Sequence, residues 1–396
     1  MAFHAGVGTS RELQDSKTAG HDAASKALAA SGASAAALAV VVGSPKYDQA
    51  AMLLGVGEAL PGAHIVGCTS AGAITEDGVQ EQAVSVLALA NDEGSFVPVK
   101  VTGIGADMRG AGKKFGEALK ASGKDVKLAF VFSDALAGNG TEMVRGILDV
   151  MGGGFPIAGG AAGDDMAFKK TEQYYGGEVL TDAVVGFGVA GDVEVAVGAD
   201  HGWQPLGDAH KVTKAEGTKL IELDGRPAFT IYQDYFGDRA SDFKQALSLQ
   251  AVTYPLGMKA EGVEEYMIRV PLAIGEDGSI TCGADVVEGS QIYLMVGTLN
   301  SAMEAAKLTA QKLVDRVVNA EPKVVFVSDC VARKILFGEH GNDEIALLKS
   351  IGGPKAVIFG LYTYGQIATL QPPPANINTC DPGFYEQSIS ITVFGA

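Results

Sequence analysis

The residues best suited to chemistry gather toward the carboxyl end of the chain. Cys330 stands in Ser328-Asp-Cys-Val-Ala-Arg333, with the arginine three positions on. A guanidinium beside a thiol lowers its pKa, and a base within reach completes a thiol site. No histidine is tied to Cys330 by spacing, and a cysteine at a strand end commonly serves as a small buried hydrophobe. Arg333 has a second use, a bidentate grip on a carboxylate. Gly360-Leu-Tyr-Thr-Tyr-Gly365 then sets Tyr362 and Tyr364 between two glycines, followed by Gln366 and later by Tyr385. Phenols donate hydrogen bonds and supply ring walls, while glycines let backbone come close to a ligand. Cys330, Arg333, Gly360, Tyr362, Tyr364, Gly365, Gln366 and Tyr385 thus form a candidate ligand-binding set. No residue is assigned a catalytic or metal-binding role.

Other patterns carry less. Gly186-Phe-Gly-Val-Ala-Gly191 matches GxGxxG, but a strand-like Asp192–Val197 follows where a dinucleotide fingerprint needs a helix, so it reads as a hairpin turn. Gly67–Gly72 and Gly360–Gly365 have phosphate-loop spacing without the Lys and hydroxyl residue that should follow. Their glycines either expose N–H groups to a small anion or turn the chain out of a buried strand. Ser133-Asp134 and Ser328-Asp329 fall at strand ends, where they either meet a ligand or cap the next segment. The six histidines show no HExxH or HxxxH pairing and no Asp-rich calcium loop is present, so no protein-ligated metal is expected. Trp203, the lone tryptophan, either lines a pocket or packs near a turn.

The elements that must position these residues repeat three times. Core strands read Leu38–Ser44, Leu128–Asp134 and Val324–Asp329, each followed by a helix and an apolar strand that ends in Gly67–Gly72, Gly159–Gly163 or Gly360–Gly365. The second helices show the period: Met52, Val56 and Leu60; Met143, Ile147 and Met151; Ile345, Leu348 and Ile351. Apolar strands joined by helices imply parallel pairing with right-handed crossovers. Val84–Ala90 with Phe96–Thr102, and Ala183–Ala190 with Val193–Ala199, read as antiparallel hairpins, as do Ser279–Ala284 and Gln291–Val296. The expected fold is α/β: repeated helix-strand-helix-strand units with mixed sheets, antiparallel hairpin additions, helices on the outer faces, and two lobes. Residues 1–222 hold two units and 223–396 the third, divided near Leu220–Arg226. Pro372–Pro374 reads as a stiff linker into a last strand, Ser388–Phe394.

The chain has 396 residues, 47% of them hydrophobic and 19% charged, as in a globular protein. Its formal net charge of -17 argues against nucleic-acid binding and against anionic membrane surfaces. No run is long enough to span a bilayer, and Met1–Gly6 lacks the pattern of a signal peptide. Cys68, Cys282, Cys330 and Cys380 form no CxxC pair, which fits free thiols in a reducing cytoplasm.

Taken in order, several segments resemble the FIST domain family. Ile65–Ala73, Pro156–Asp164, Gly202-Trp-Gln-Pro-Leu-Gly207, Val212-Thr213 and Glu222–Ala228 resemble its N-terminal half. Asp277–Ile280 with Glu288-Gly289, Cys330–Arg333 and Gly360–Gly365 resemble its C-terminal half. The resemblance implies a sensory module that binds a small ligand, such as an amino acid or another small carboxylate. It also offers a haem-based nitric-oxide sensor acting on a histidine kinase or a cyclic-dinucleotide enzyme. The sequence shows no output domain, so the signal is expected to pass to a separate protein. The chain departs from the family where Gln366 replaces an acidic residue and where Phe384-Tyr-Glu-Gln-Ser388 replaces a His-Asn pair. Tyr385 could then ligate haem as tyrosinate or hydrogen-bond a different ligand. No cofactor is assigned outright. A thiol-dependent enzyme using Cys330 or Cys380, and an interaction protein without a ligand, are the remaining classes.

Overall fold

The computed structural model describes residues 3–90, 96–259, 265–317, 320–369, 377–378 and 382–396. The proline linker at 372–374 and Cys380 lie outside the described residues.

Each unit opens on an edge strand, then runs helix, core strand, helix, partner strand, a short hairpin and a returning strand. In the first unit these are β1 (His4–Ser10), α1 (Ser16–Ser31), β2 (Leu38–Gly43), α2 (Gln49–Ala59), β3 (His64–Thr69), β4 (Ala73–Thr75), β5 (Gly78–Gln80) and β6 (Val84–Ala90). The second comprises β7 (Phe96–Thr102), α3 (Met108–Ala121), β8 (Val126–Ser133), α4 (Gly140–Met151), β9 (Ile157–Ala161), β10 (Gln173–Tyr175), β11 (Glu178–Leu180) and β12 (Ala183–Ala190).

The third unit begins with β13 (Glu194–Asp200) and is interrupted by an insertion. That insertion is an antiparallel sheet of β14 (Gln204–Glu216), β15 (Lys219–Leu223), β16 (Arg226–Pro227), β17 (Leu256–Lys259), β18 (Met267–Arg269), β19 (Pro271–Ile274), β20 (Ile280–Cys282) and β21 (Gln291–Val296). It carries the short helices α5 (Thr230–Phe236), α6 (Ala240–Gln245) and α7 (Leu247–Thr253). The unit resumes with α8 (Leu299–Val314), β22 (Pro322–Cys330), α9 (Val331–Phe337), α10 (Gly341–Gly352), β23 (Val357–Thr363), β24 (Gly365–Ala368), β25 (Phe384–Tyr385) and β26 (Ile389–Gly395).

The three resulting sheets have one plan. Their orders are β1-β6-β2-β3-β10-β11, β7-β12-β8-β9-β24-β25 and β13-β26-β22-β23-β4-β5. In each, the core and partner strands are parallel and their neighbours antiparallel. The last two strands always come from another unit: the first gives its hairpin to the third sheet, the third to the second, and the second to the first. This exchange closes a ring and ties the three units together.

The mixed α/β architecture matches the reading of the sequence, but three local pairings do not. β6 pairs with β1 and β2 while β7 pairs with β12, so Val84–Ala90 and Phe96–Thr102 lie in different sheets. β12 and β13 are separated in the same way, and β20 and β21 are not partners either. Short apolar strands in sequence suggest a hairpin, yet β6 and β12 lie beside the core strands of their own units, β7 and β13 take the outer edges of the next sheets, and β20 and β21 pair within the inserted sheet. GxGxxG is likewise neither nucleotide loop nor simple turn. Gly186 and Gly188 lie inside β12, where a Cβ on Gly186 would stand 1.9 Å from the Phe130 carbonyl oxygen.

The inner faces of the sheets share a core centred on Phe130, Phe326, Phe359 and Phe394, with Phe130 and Phe326 ring centroids 4.5 Å apart. Helices cover the outer faces with separate apolar clusters. In the first two units glycines permit close helix pairs. A Cβ on Gly20 would lie 2.0 Å from the Met52 carbonyl oxygen, and one on Gly112 2.1 Å from that of Met143. Side chains of Asp15, Asp48, Asp107, Asn139 and Thr298 cap the five repeat helices that begin at 16, 49, 108, 140 and 299. Among the described residues no helix is long and apolar enough to cross a membrane.

Candidate functional site: three strand ends around a hydrogen-bonded ring

The three glycine runs meet where the partner strands leave their sheets. Gly67, Gly159 and Gly360 occupy equivalent places. A Cβ there would stand 1.9, 1.9 and 2.0 Å from the carbonyl oxygens of Val41, Val131 and Val327. Only glycine fits so close to a neighbouring strand. Two residues on, the runs join. The N–H of Ala71 donates to the carbonyl of Tyr362 (3.2 Å), that of Gly163 to Thr69 (3.1 Å) and that of Tyr364 to Ala161 (3.1 Å). These are the same two positions in each unit, so the bonds form a cyclic ring of threefold plan. The ring uses its N–H groups internally, which answers for these positions whether they serve an anion.

Around the ring lie three equivalent core-strand ends. At the third, Asp329, Arg333 and Glu344 are buried together. Arg333 donates to Asp329 at 2.7 Å, to Glu344, and to the carbonyls of His201 (3.0 Å) and Ala302 (3.3 Å). Its guanidinium therefore joins α8, α10 and the segment after β13. Burial opposes its charge, but Glu344 and Asp329 together raise its pKa. Burial, then the Glu344 charge, holds the Asp329 carboxyl well above the ordinary carboxylate range. Cys330 is also buried, and burial pushes its thiol up to about 11. The second strand end is closed too. Asp134 accepts from the Leu136 N–H (2.9 Å), the Thr171 hydroxyl (2.6 Å) and the Asp182 N–H (2.8 Å). Both aspartates thus tie segments of the fold together.

The first strand end is open. Residues 45–50, between β2 and the first turn of α2, face residues within 164–172 of the second unit across a cleft of about 720 Å³. That volume lies in the usual range for small-ligand pockets. Asp164 organises the far wall: its carboxylate accepts the N–H groups of Phe168 (2.8 Å), Lys169 (2.7 Å) and Lys170 (2.9 Å), and the Tyr364 hydroxyl. Burial works against its charge, but the bonds from Lys170, Tyr364, Lys169 and Phe168 prevail and lower its pKa. The Phe168 ring stacks on Tyr364 at 4.3 Å. Asp165, Met166 and Phe168 have φ of 54°, 62° and 49°. Three such residues in four are strained backbone, which concentrates at functional sites.

Charge in the cleft is unevenly spent. The half-buried Asp165 accepts the Ser44 hydroxyl at 3.2 Å, and burial raises its pKa. Lys170 pairs with Glu172 at 2.5 Å. The exposed Lys46 ammonium has no ion pair among the described residues. Tyr47 and Gln49 shape the near wall, through Tyr47 Oη to the Gln82 carbonyl (3.0 Å) and Gln49 Nε2 to the Tyr47 carbonyl (2.7 Å).

The eight residues singled out in the sequence are therefore divided. Cys330, Arg333, Tyr362 and Gln366 are interior; Gln366 bridges the hydroxyls of Thr363 (2.8 Å) and Ser388 (3.1 Å). Gly360 serves strand packing, and Gly365 lies under the Phe384 ring. Only Tyr364 reaches the cleft, through Asp164. Tyr385 lies elsewhere, donating to Glu265 at 3.2 Å beside a separate cavity. Ser44, Lys46, Asp164 and Asp165 were not singled out. Their signal was positional: Ser44 ends a core strand as Asp134 does, and Asp164-Asp165 directly follows a glycine run.

Of the side chains that could ligate a haem, the Tyr385 hydroxyl donates to Glu265. The cleft walls are charged, Cys330 is in the core, and both ring nitrogens of His201 are engaged, with Trp203 N–H (2.8 Å) and the Tyr266 carbonyl (3.0 Å). Among the described residues no three His, Cys, Asp or Glu groups are placed to hold a metal ion.

Comparison with known proteins agrees with this architecture. The family model for the FIST N domain matches residues 37–226, and that for the FIST C domain matches 228–369. A protein of Methanocaldococcus jannaschii described as uncharacterized is 27% identical over 310 residues, covering 71% of this chain and 57% of its own length. A Mycobacterium bovis protein, described in the same way, is 27% identical over 221 residues, covering 54% of this chain and 57% of its own. The chain thus spans little more than half the length of these relatives.

Proposed function

We propose, from the premise that this chain belongs to the FIST family, that it senses a small zwitterion bound at the open strand end of the first unit. FIST domains are associated with sensing in signal transduction. The single observation that carries the reading is that a cation without an ion-pair contact, Lys46, and a half-buried carboxylate, Asp165, face one cleft. An α-amino acid offers both complements. Its carboxylate meets the Lys46 ammonium. Its ammonium meets Asp165, with Ser44 and Tyr47 beside it. A partly desolvated ion pair is worth more than an exposed one, so Asp165 contributes most to selection. The reading extends to an output partner, a histidine kinase or another signalling protein, that receives the signal.

The experiment is a thermal-shift screen with the common amino acids and small carboxylates up to millimolar concentration. A true ligand at about 100 times its dissociation constant adds about 2.7 kcal/mol. Lys46→Ala and Asp165→Asn should each remove that stabilisation. A flat screen across the panel, or a hit that survives both substitutions, overturns the proposal.

A further inference from the structure

Two adjoining cavities, of about 270 and 220 Å³, flank the end of β13, the first toward the start of the inserted sheet and the second toward α8. They share a wall that includes Asp200, Glu265 and Tyr385. The first is lined further by Trp203 and Tyr266, the second by the cations Lys312 and Arg316. Neither takes part in the cleft of the first unit.

Aromatic and acidic groups meet in the first cavity, and their positions are held by the protein. The buried Trp203 indole donates to the Val252 carbonyl at 3.1 Å. His201 accepts the Trp203 N–H at one nitrogen and donates to the Tyr266 carbonyl from the other, which makes it the neutral tautomer. Burial also lowers its pKa, so the His201 ring itself brings no positive charge. Asp200 accepts the backbone N–H of His201 at 2.6 Å and has no cationic partner among the described residues. Glu265 accepts the Tyr385 hydroxyl. Cation-on-ring contact is already in use at this wall: the Lys259 ammonium rests 5.1 Å from the Tyr266 ring centroid. A ring face attracts cations through its quadrupole, and an apolar body gains by burial against it.

We infer that this cavity is a second binding site and that it takes a small organic cation. The ammonium lies against Asp200 and Glu265, and the carbon body lies among Tyr266, Tyr385 and Trp203. The formal net charge of -17 draws such a cation in and disfavours anions. The inference does not depend on the amino-acid reading, because the two sites share no residue.

Isothermal titration of the whole chain with tyramine, choline and putrescine, at matched ionic strength, tests it. At least one probe should bind saturably, one to one, with Kd below about 1 mM, some 4 kcal/mol. Asp200→Asn keeps the shape and removes the charge, and should weaken that binding at least about tenfold. Tyr266→Leu, on a partly exposed ring, should weaken it as well; equal melting temperatures show that both variants fold. No saturable heat with any probe overturns the inference, and so does affinity unchanged in both folded variants.

Discussion

At the end of β2 the fold sets Lys46 and Asp165 around open space. At the equivalent end of β22 it sets Asp329, Arg333 and Glu344 in a sealed interior. The backbone plan is shared down to a glycine that touches the carbonyl of Val41 in one unit and of Val327 in the other. The difference lies in the segment after the strand. In the first unit a short turn leads directly to α2, whereas in the third the extra helix α9 comes between and drives Arg333 into the core. The same types of charged residue then do different work. Buried and enclosed, they hold elements together; at an open end, one cation and one carboxylate are left to meet a ligand. Repetition supplied the frame, and the loop after each strand assigned the use.

The largest effect that could break this contrast is at Arg333. Arg333→Met would leave Asp329 and Glu344 buried without their cation, at a cost of about 3–5 kcal/mol. Lys46→Ala should change stability by less than about 0.5 kcal/mol, as exposed sites do. Urea unfolding of both variants measures the difference, and similar losses would erase it. Next come the glycines of the shared frame. Gly67→Ala and Gly159→Ala force a Cβ against backbone and should each cost about 1–3 kcal/mol. A tolerated change in one unit alone would show that the frame is not shared in energy.

Tyr364→Phe tests the link between ring and cleft and should cost about 1.5 kcal/mol, the scale of a hydrogen bond to a charged group. Its pH dependence has a definite sign. Asp164 is held below its ordinary value, so its contribution is complete above about pH 4–5 and fades as pH falls through the lowered pKa. The deficit of Tyr364→Phe against the wild type should shrink in that same acid window. Asp165 shifts the other way, because burial raises its pKa. Amino-acid binding should therefore fade on acidification before an ordinary aspartate would protonate, as the ligand-induced thermal shift measured against pH checks. The smallest effect is kinetic: Cys330, buried with its thiol near 11, should react with iodoacetamide more slowly than a free thiol at pH 8.

Much of the frame was legible because it is local. Met52, Val56 and Leu60 on one side of α2, and the unbroken apolar run of β8, state helix and buried strand without reference to anything distant. The candidate site was less legible. Tyr364 was found, but it acts from the rim through Asp164, a residue two hundred positions away, and no spacing rule links them. Arg333 looked available because nothing in Cys330–Arg333 reveals that Asp329 and Glu344 close around its guanidinium.

The sequence by itself determined the three units, their helices and core strands, and the glycines at which the partner strands turn. Periodicity and close packing act over a few residues and leave their mark in residue order. Only the tertiary structure decided which strands pair, which hairpin each sheet receives and which of three equal strand ends stays open. A strand's edge offers the same N–H and C=O groups to any neighbour, so the choice falls to burial and shape across the whole molecule. A charged side chain likewise acquires its role from the partners that reach it. Around Arg333 those partners filled the space, whereas the Lys46 ammonium makes no ion-pair contact among the described residues.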